Sequence, residues 1–215
     1  MRTCRATERR RRIRRAGVAG PALCALALLA LAVALPAPAW GVGSLAFGTV
    51  PKLPALPAVT LNAQAQTTPT TMTSFSVSDT RLTKSGWNVT VAGQSGTKKS
   101  AVFAQYCPKL KCGTDAEGYV AAGTALAANS LQLTSSGAAF TGGTGSTPKL
   151  LCSTTCNVDG ATAVKVASAE TSEGTWTAGG WSATSLKLNT PTTLRVLPSE
   201  EVYRVNILWT LATGP

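Results

Sequence analysis

Apolar and polar residues alternate along VYRVNILWTL near the carboxyl end, so that Tyr203, Val205, Ile207, Trp209 and Leu211 share one face of an extended chain. GWNVTV, about 120 residues earlier, sets Trp87, Val89 and Val91 in the same period-2 phase. Shorter stretches of this kind recur as TSFSVS, SAVFAQY, SLQL, AVKVAS, TSLKL and TLRVL. Clusters of Gly, Ser, Thr and Pro separate them, notably at 135–137 and 141–147, and TGGTGST at the latter reads as a flexible turn. Helical i, i+3, i+4 periodicity does not extend through this part of the chain. The pattern predicts an all-β protein, an antiparallel β-sandwich in preference to a barrel. Pro51, Pro54, Pro57 and Pro69 alternate with Leu45, Phe47, Val50, Leu53, Val59 and Leu61, which predicts an early edge strand and loop.

The first 39 residues differ in kind. Residues 1–15 hold eight arginines and one glutamate, the apolar run LCALALLALAVAL follows, and Ala37-Pro38-Ala39 fits a small-x-small cleavage site. This is the plan of an export signal over 1–39, leaving one domain over 40–215 and no membrane segment after cleavage. An amino-terminal membrane anchor is the alternative, although the strongly apolar part is short of the ~20 residues of a spanning helix. Arg14-Arg15 is a weak twin-arginine signal in so arginine-rich a head, and Cys4 and Cys24 leave with the segment. Removal also changes the charge. The whole chain carries +11, but the segment takes eight of 20 basic and one of nine acidic residues, leaving +4. Lys98-Lys99 and Lys109/Lys111 are the only local concentrations, too sparse for a nucleic-acid face.

Four cysteines remain, Cys107, Cys112, Cys152 and Cys156. In an exported chain the spacing favours two local disulfide staples, Cys107 with Cys112 and Cys152 with Cys156, among three connectivities. A four-cysteine zinc site is the competing reading. Histidine is absent, which removes Ser-His, Cys-His and histidine-metal chemistry. The carboxylates Asp79, Asp115, Glu117, Asp159, Glu170, Glu173, Glu200 and Glu201 fall in no recognisable catalytic motif, and no phosphate loop is present. The expectation is a protein without catalytic residues, cofactor or metal. Asp79 and Arg81 flank the turn into the Trp87 strand and predict a local ion pair or turn hydrogen bond.

DTRLTKSGWNVTV together with the terminal VYRVNILWTLATGP resembles the WxL domain of exported Gram-positive surface proteins, whose two W-x-L-type motifs occur in this order. LAFGTVP and NSLQLTSSGAAFTGG extend the resemblance over about residues 42–215, nearly all of the mature chain. Trp209-Thr210-Leu211 matches the distal motif directly, whereas Trp87-Asn88-Val89 carries valine in place of leucine and keeps an apolar residue on the same face. The resemblance implies an all-β fold, non-covalent attachment to the cell wall with peptidoglycan as ligand, and membership of surface-protein complexes. The cysteines lie outside the general family pattern and suggest a divergent, actinobacterial branch. Candidate wall contacts are Trp87, Val89, Tyr203, Trp209 and Leu211. Trp176 and Trp181, in the Gly-rich GTWTAGGW, are expected to be more exposed. The competing reading of the tryptophan strands is a sandwich core, and a protein partner is the alternative to a wall polymer. No LPxTG signal or apolar tail precedes Pro215, so attachment is expected to be non-covalent.

Overall fold

The computed structural model describes residues 43–198 and 200–215, and the expected export signal lies outside them. Fifteen strands and no helix occur among the described residues, arranged in four antiparallel sheets. In the first sheet, β1 (Leu45–Thr49), β3 (Phe75–Asp79), β12 (Ser172–Gly179) and β8 (Ala139–Gly145) lie in that order. The second runs β10 (Cys156–Asn157), β7 (Leu131–Leu133), β13 (Leu186–Thr190) and β2 (Gln66–Thr70). The third runs β15 (Ile207–Thr213), β4 (Trp87–Gly93), β11 (Val164–Ala169) and β9 (Lys149–Leu150). A smaller sheet joins β14 (Val202–Arg204), β5 (Ala104–Cys112) and β6 (Asp115–Tyr119).

Period-2 alternation decides which side chains enter the core. Trp87, Val89 and Val91 of β4, Phe75 and Val77 of β3, and Leu186 and Leu188 of β13 join one buried cluster, while the residues between them in β4 and β13 are only partly buried. Rings cross between the first and third sheets: Trp87 meets Phe140 edge-on at 5.7 Å and Phe75 lies 6.3 Å from Trp209. These contacts make the two sheets the facing layers of a β-sandwich.

The passage from β3 to β4 shows why the layers are held in register. Asp79 is fully buried at the end of β3, where its two carboxylate oxygens accept from Arg81 Nε at 2.8 Å and Nη2 at 2.7 Å. Arg81 Nη2 also donates to the Gly86 carbonyl at 2.7 Å, closing the loop just before Trp87. Gly86 has φ +70° and a side chain there would run into the Ala169 carbonyl, so glycine is required. The expected ion pair is therefore present, and its fork-on geometry fixes the arch between the two layers.

Three expectations need correction. TLRVL is not a strand: Pro191 and Pro198 bracket it, and the Leu194 N–H turns back to the Pro191 carbonyl at 3.1 Å. VYRVNILWTL is not one strand but two, β14 and β15, which belong to different sheets. The break falls at Asn206, whose side-chain oxygen accepts from Tyr119 Oη at 2.6 Å and whose backbone bonds Ser100 and Gln94. The glycine run at 141–147 largely belongs to β8 rather than to a turn. Gly143, with φ +53°, lies flat beneath the Trp176 ring, and a Cβ there would stand 2.2 Å from the indole. Pro69 sits in β2, at the edge of its sheet, where a missing N–H costs no ladder bond.

Candidate functional site

β15 forms the outer edge of the third sheet and pairs with β4 on its inner side alone among the described residues. Thr213 stands opposite Trp87, Leu211 opposite Val89 and Trp209 opposite Val91, so the two motif strands are direct neighbours. Their tryptophans are not. Trp87 lies in the interior at 0 % exposure, whereas Trp209 sits nearer the other end of the ladder, packed on the core from one side and partly open on the other. The indoles connect through the ring chain Trp209, Phe75, Phe140, Trp87.

Trp87 and Val89 thus present no surface to a ligand, because the first sheet covers them completely. Trp176 is also buried, at 5 % exposure, against the expectation that GTWTAGGW would leave it open. The glycine slot in β8 accounts for this: residues without side chains let the ring lie against the neighbouring strand. Trp181 remains partly open and stacks on Phe75 at 6.4 Å. Tyr203, Val205, Ile207, Trp209 and Leu211 all rest on the core while partly exposed, so the whole stripe lies at the rim of the sandwich. Burial raises the Tyr203 phenol above its ordinary pKa, and its hydroxyl donates to the Arg195 carbonyl at 3.2 Å.

Sequence reasoning missed a cleft beside this rim. The proline-rich segment carrying Leu53 and Leu56 lies over Phe103 and Tyr203 and bounds two adjoining hollows of about 450 Å³ and 510 Å³. Gln105 and Glu201, both buried, meet next to it. Their one sequence signal is an acidic doublet, Glu200-Glu201, set directly before an apolar strand.

The four cysteines pair locally, Cys107 with Cys112 and Cys152 with Cys156, with Cα separations of 5.7 and 5.3 Å. No thiol of these clusters is left for zinc. The carboxylates are dispersed rather than paired with one another. Asp159 is buried and accepts from the Ser130 and Leu131 N–H groups; burial raises its pKa, partly offset by those bonds. Glu173 bonds Lys84 at 2.9 Å and Glu200 bonds Lys109 at 2.6 Å. Glu170 lies 3.8 Å from Lys149 at the exposed surface.

A β-sandwich with aromatic rings partly open along one edge has the build of a binding domain. The family model of the WxL domain, a surface cell wall-binding domain, matches residues 41–215. The chain belongs to the WxL family and is a secreted, wall-associated protein of the cell surface. Comparison with curated proteins and with solved structures gave no match.

Proposed function

We propose that residues 40–215, released from an export signal over 1–39, form a non-covalently attached wall-binding module that takes peptidoglycan along the rim formed by Tyr203, Trp209, Leu211 and Trp181. The observation that carries this reading is the division between the two motif tryptophans, Trp87 enclosed and Trp209 partly open on an edge strand. A rigid ring fixed on one side by Phe75 offers its other side to the apolar face of a sugar at little entropic cost. Trp87, Val89 and Trp176 then serve by holding the rim in place. The module acts by binding, without turnover, and the dispersed carboxylates support this. Sedimentation of the purified chain with isolated sacculi tests the proposal: saturable pelleting that survives moderate salt is expected, and a protein that stays in solution with every wall preparation refutes it.

A second reading rests on Leu208, which is 46 % exposed on the outward side of β15. An edge strand with an apolar outer residue suits pairing with another exported chain. Co-purification of a surface protein independent of wall material, abolished by Leu208→Lys, would favour it over peptidoglycan.

A further inference from the structure

A residue lining the cleft beside the rim carries a buried polar atom with no partner among the described residues. Leu56, Phe103, Leu126, Leu188, Leu194 and Tyr203 supply apolar walls, and Glu201, only 9 % exposed, enters among them. Gln105 determines how that carboxylate is used. The Gln105 N–H donates to the Thr124 carbonyl at 2.8 Å, and the Thr124 N–H donates to Gln105 Oε1 at 2.9 Å. With its oxygen thus occupied, Gln105 turns Nε2 to Glu201 Oε2, which accepts. Glu201 Oε1 stays enclosed, with no partner among the described residues. Its neighbour Glu200 has φ +69°, in the left-handed region that glycine favours, and points outward to Lys109. This turn sends two adjacent carboxylates in opposite directions, one to solvent and one into the cleft.

A buried carboxylate oxygen only accepts, so its occupant must donate, and a charged donor makes the stronger bond. We propose that the cleft is a subsite for an aliphatic primary ammonium, namely the amine-bearing side chain of a wall peptide, whose methylenes lie along the apolar walls while the ammonium donates to Glu201 Oε1. Arg195, exposed at the same cleft, suits a carboxylate of that peptide. The assignment rests on the wall-binding reading and adds a peptide contact to the glycan contact at the tryptophan rim.

The test uses two probes on the full mature chain, Nα-acetyl-lysine amide and its Nε-acetylated derivative, followed by the NMR shifts of the Gln105 side-chain amide and the Tyr203 backbone. Saturable shifts with the amine are expected, with affinity at least about tenfold weaker for the acetylated probe and for the amine on Glu201→Gln. Glu201→Gln can still accept from Gln105, so its thermal midpoint should match the wild type. Equal affinity for both probes, an unaltered response in Glu201→Gln, or no saturable shift overturns the subsite. Sacculi before and after N-acetylation of their amines separate the two readings. Reduced pelleting with acetylated sacculi supports the assignment. Undiminished pelleting leaves the wall reading standing and overturns the ammonium subsite. Failure to pellet even with untreated sacculi refutes the wall reading and with it the peptide as source, while the probe titration decides the cleft chemistry.

Discussion

Truncation of Trp87 should unfold the protein far more readily than truncation of any rim residue. The indole is fully enclosed, touches Phe140 edge-on at 5.7 Å, and buries an Nε1–H that has no partner among the described residues. A buried tryptophan removes roughly 200 Å² from water, which at about 25 cal/mol per Å² is worth some 5 kcal/mol. Trp87→Ala leaves most of that volume as a cavity, so a loss of about 3–5 kcal/mol is expected. That is a large part of the stability of a typical domain. Trp87→Phe retains much of the packing and removes the unpaired N–H, whose burial costs about 1–3 kcal/mol, so its net loss should fall below about 2 kcal/mol. Trp209→Ala should cost less than Trp87→Ala because part of its ring is already in water. Urea unfolding followed by far-ultraviolet circular dichroism, with disulfides intact, measures all three. A Trp87→Ala protein as stable as Trp209→Ala, or a Phe variant no better than the Ala variant, would refute the enclosed-anchor role of Trp87.

Other expectations follow from the same packing. The Arg81 fork, more than offsetting burial, holds the Asp79 pKa below its ordinary value. Its contribution is therefore complete above about pH 4 and is lost as pH falls through the depressed folded value. Asp159 is shifted upward, so it acts in the opposite sense and favours the folded state as pH falls. Asp79→Asn should lose about 3–5 kcal/mol at neutral pH by leaving Arg81 unpaired, and its denaturant midpoint should fall less than that of the wild type on acidification below about pH 4. Equal acid sensitivity in both would contradict the pairing. Gly143→Val should displace Trp176 and expose it to acrylamide quenching; unchanged quenching would show that the slot is not needed. Replacing Cys152 and Cys156 by serine opens a short loop, for a chain-entropy loss of about 2 kcal/mol. Because all four half-cystines are buried and the two loops are of similar length, removing the Cys107/Cys112 pair should lower melting stability by a similar amount, and a loss confined to one pair would contradict this.

Strands whose inward residues are large and apolar were legible from the amino-acid order alone. β4, β7 and β13 alternate as their period-2 patterns require, β3 also buries Ser76, β11 breaks phase at a bulge where Val166 and Ala167 are both buried, and the five-residue stripe packs on the core although it spans two sheets. β2 and β8 were not legible, because their residues are mostly Thr, Gly and Gln and their pairing comes from neighbouring strands. TLRVL has a strand composition but proline at both ends, and tertiary contacts turn it to bring Leu194 into the cleft. The break at Asn206 was hidden because the alternation continues in phase across it, while the hydrogen-bonding partners change sheet. Burial of Trp176 depended on the absence of side chains at a distant glycine pair, and the Gln105–Glu201 contact joins residues far apart in the chain. The acidic doublet marks Glu201 alone, and neither pairing can be read from one stretch of chain.

The central proposal divides a tryptophan that holds the sandwich from one that would meet the wall. It is tested most directly by quantitative pelleting with purified sacculi, comparing the wild type with Trp209→Ala and Trp181→Ala proteins shown by circular dichroism to be folded. Binding weaker by about tenfold or more in the folded Trp209→Ala protein is expected if the ring covers a sugar face. Wild-type binding by both folded variants would contradict the rim as the wall contact.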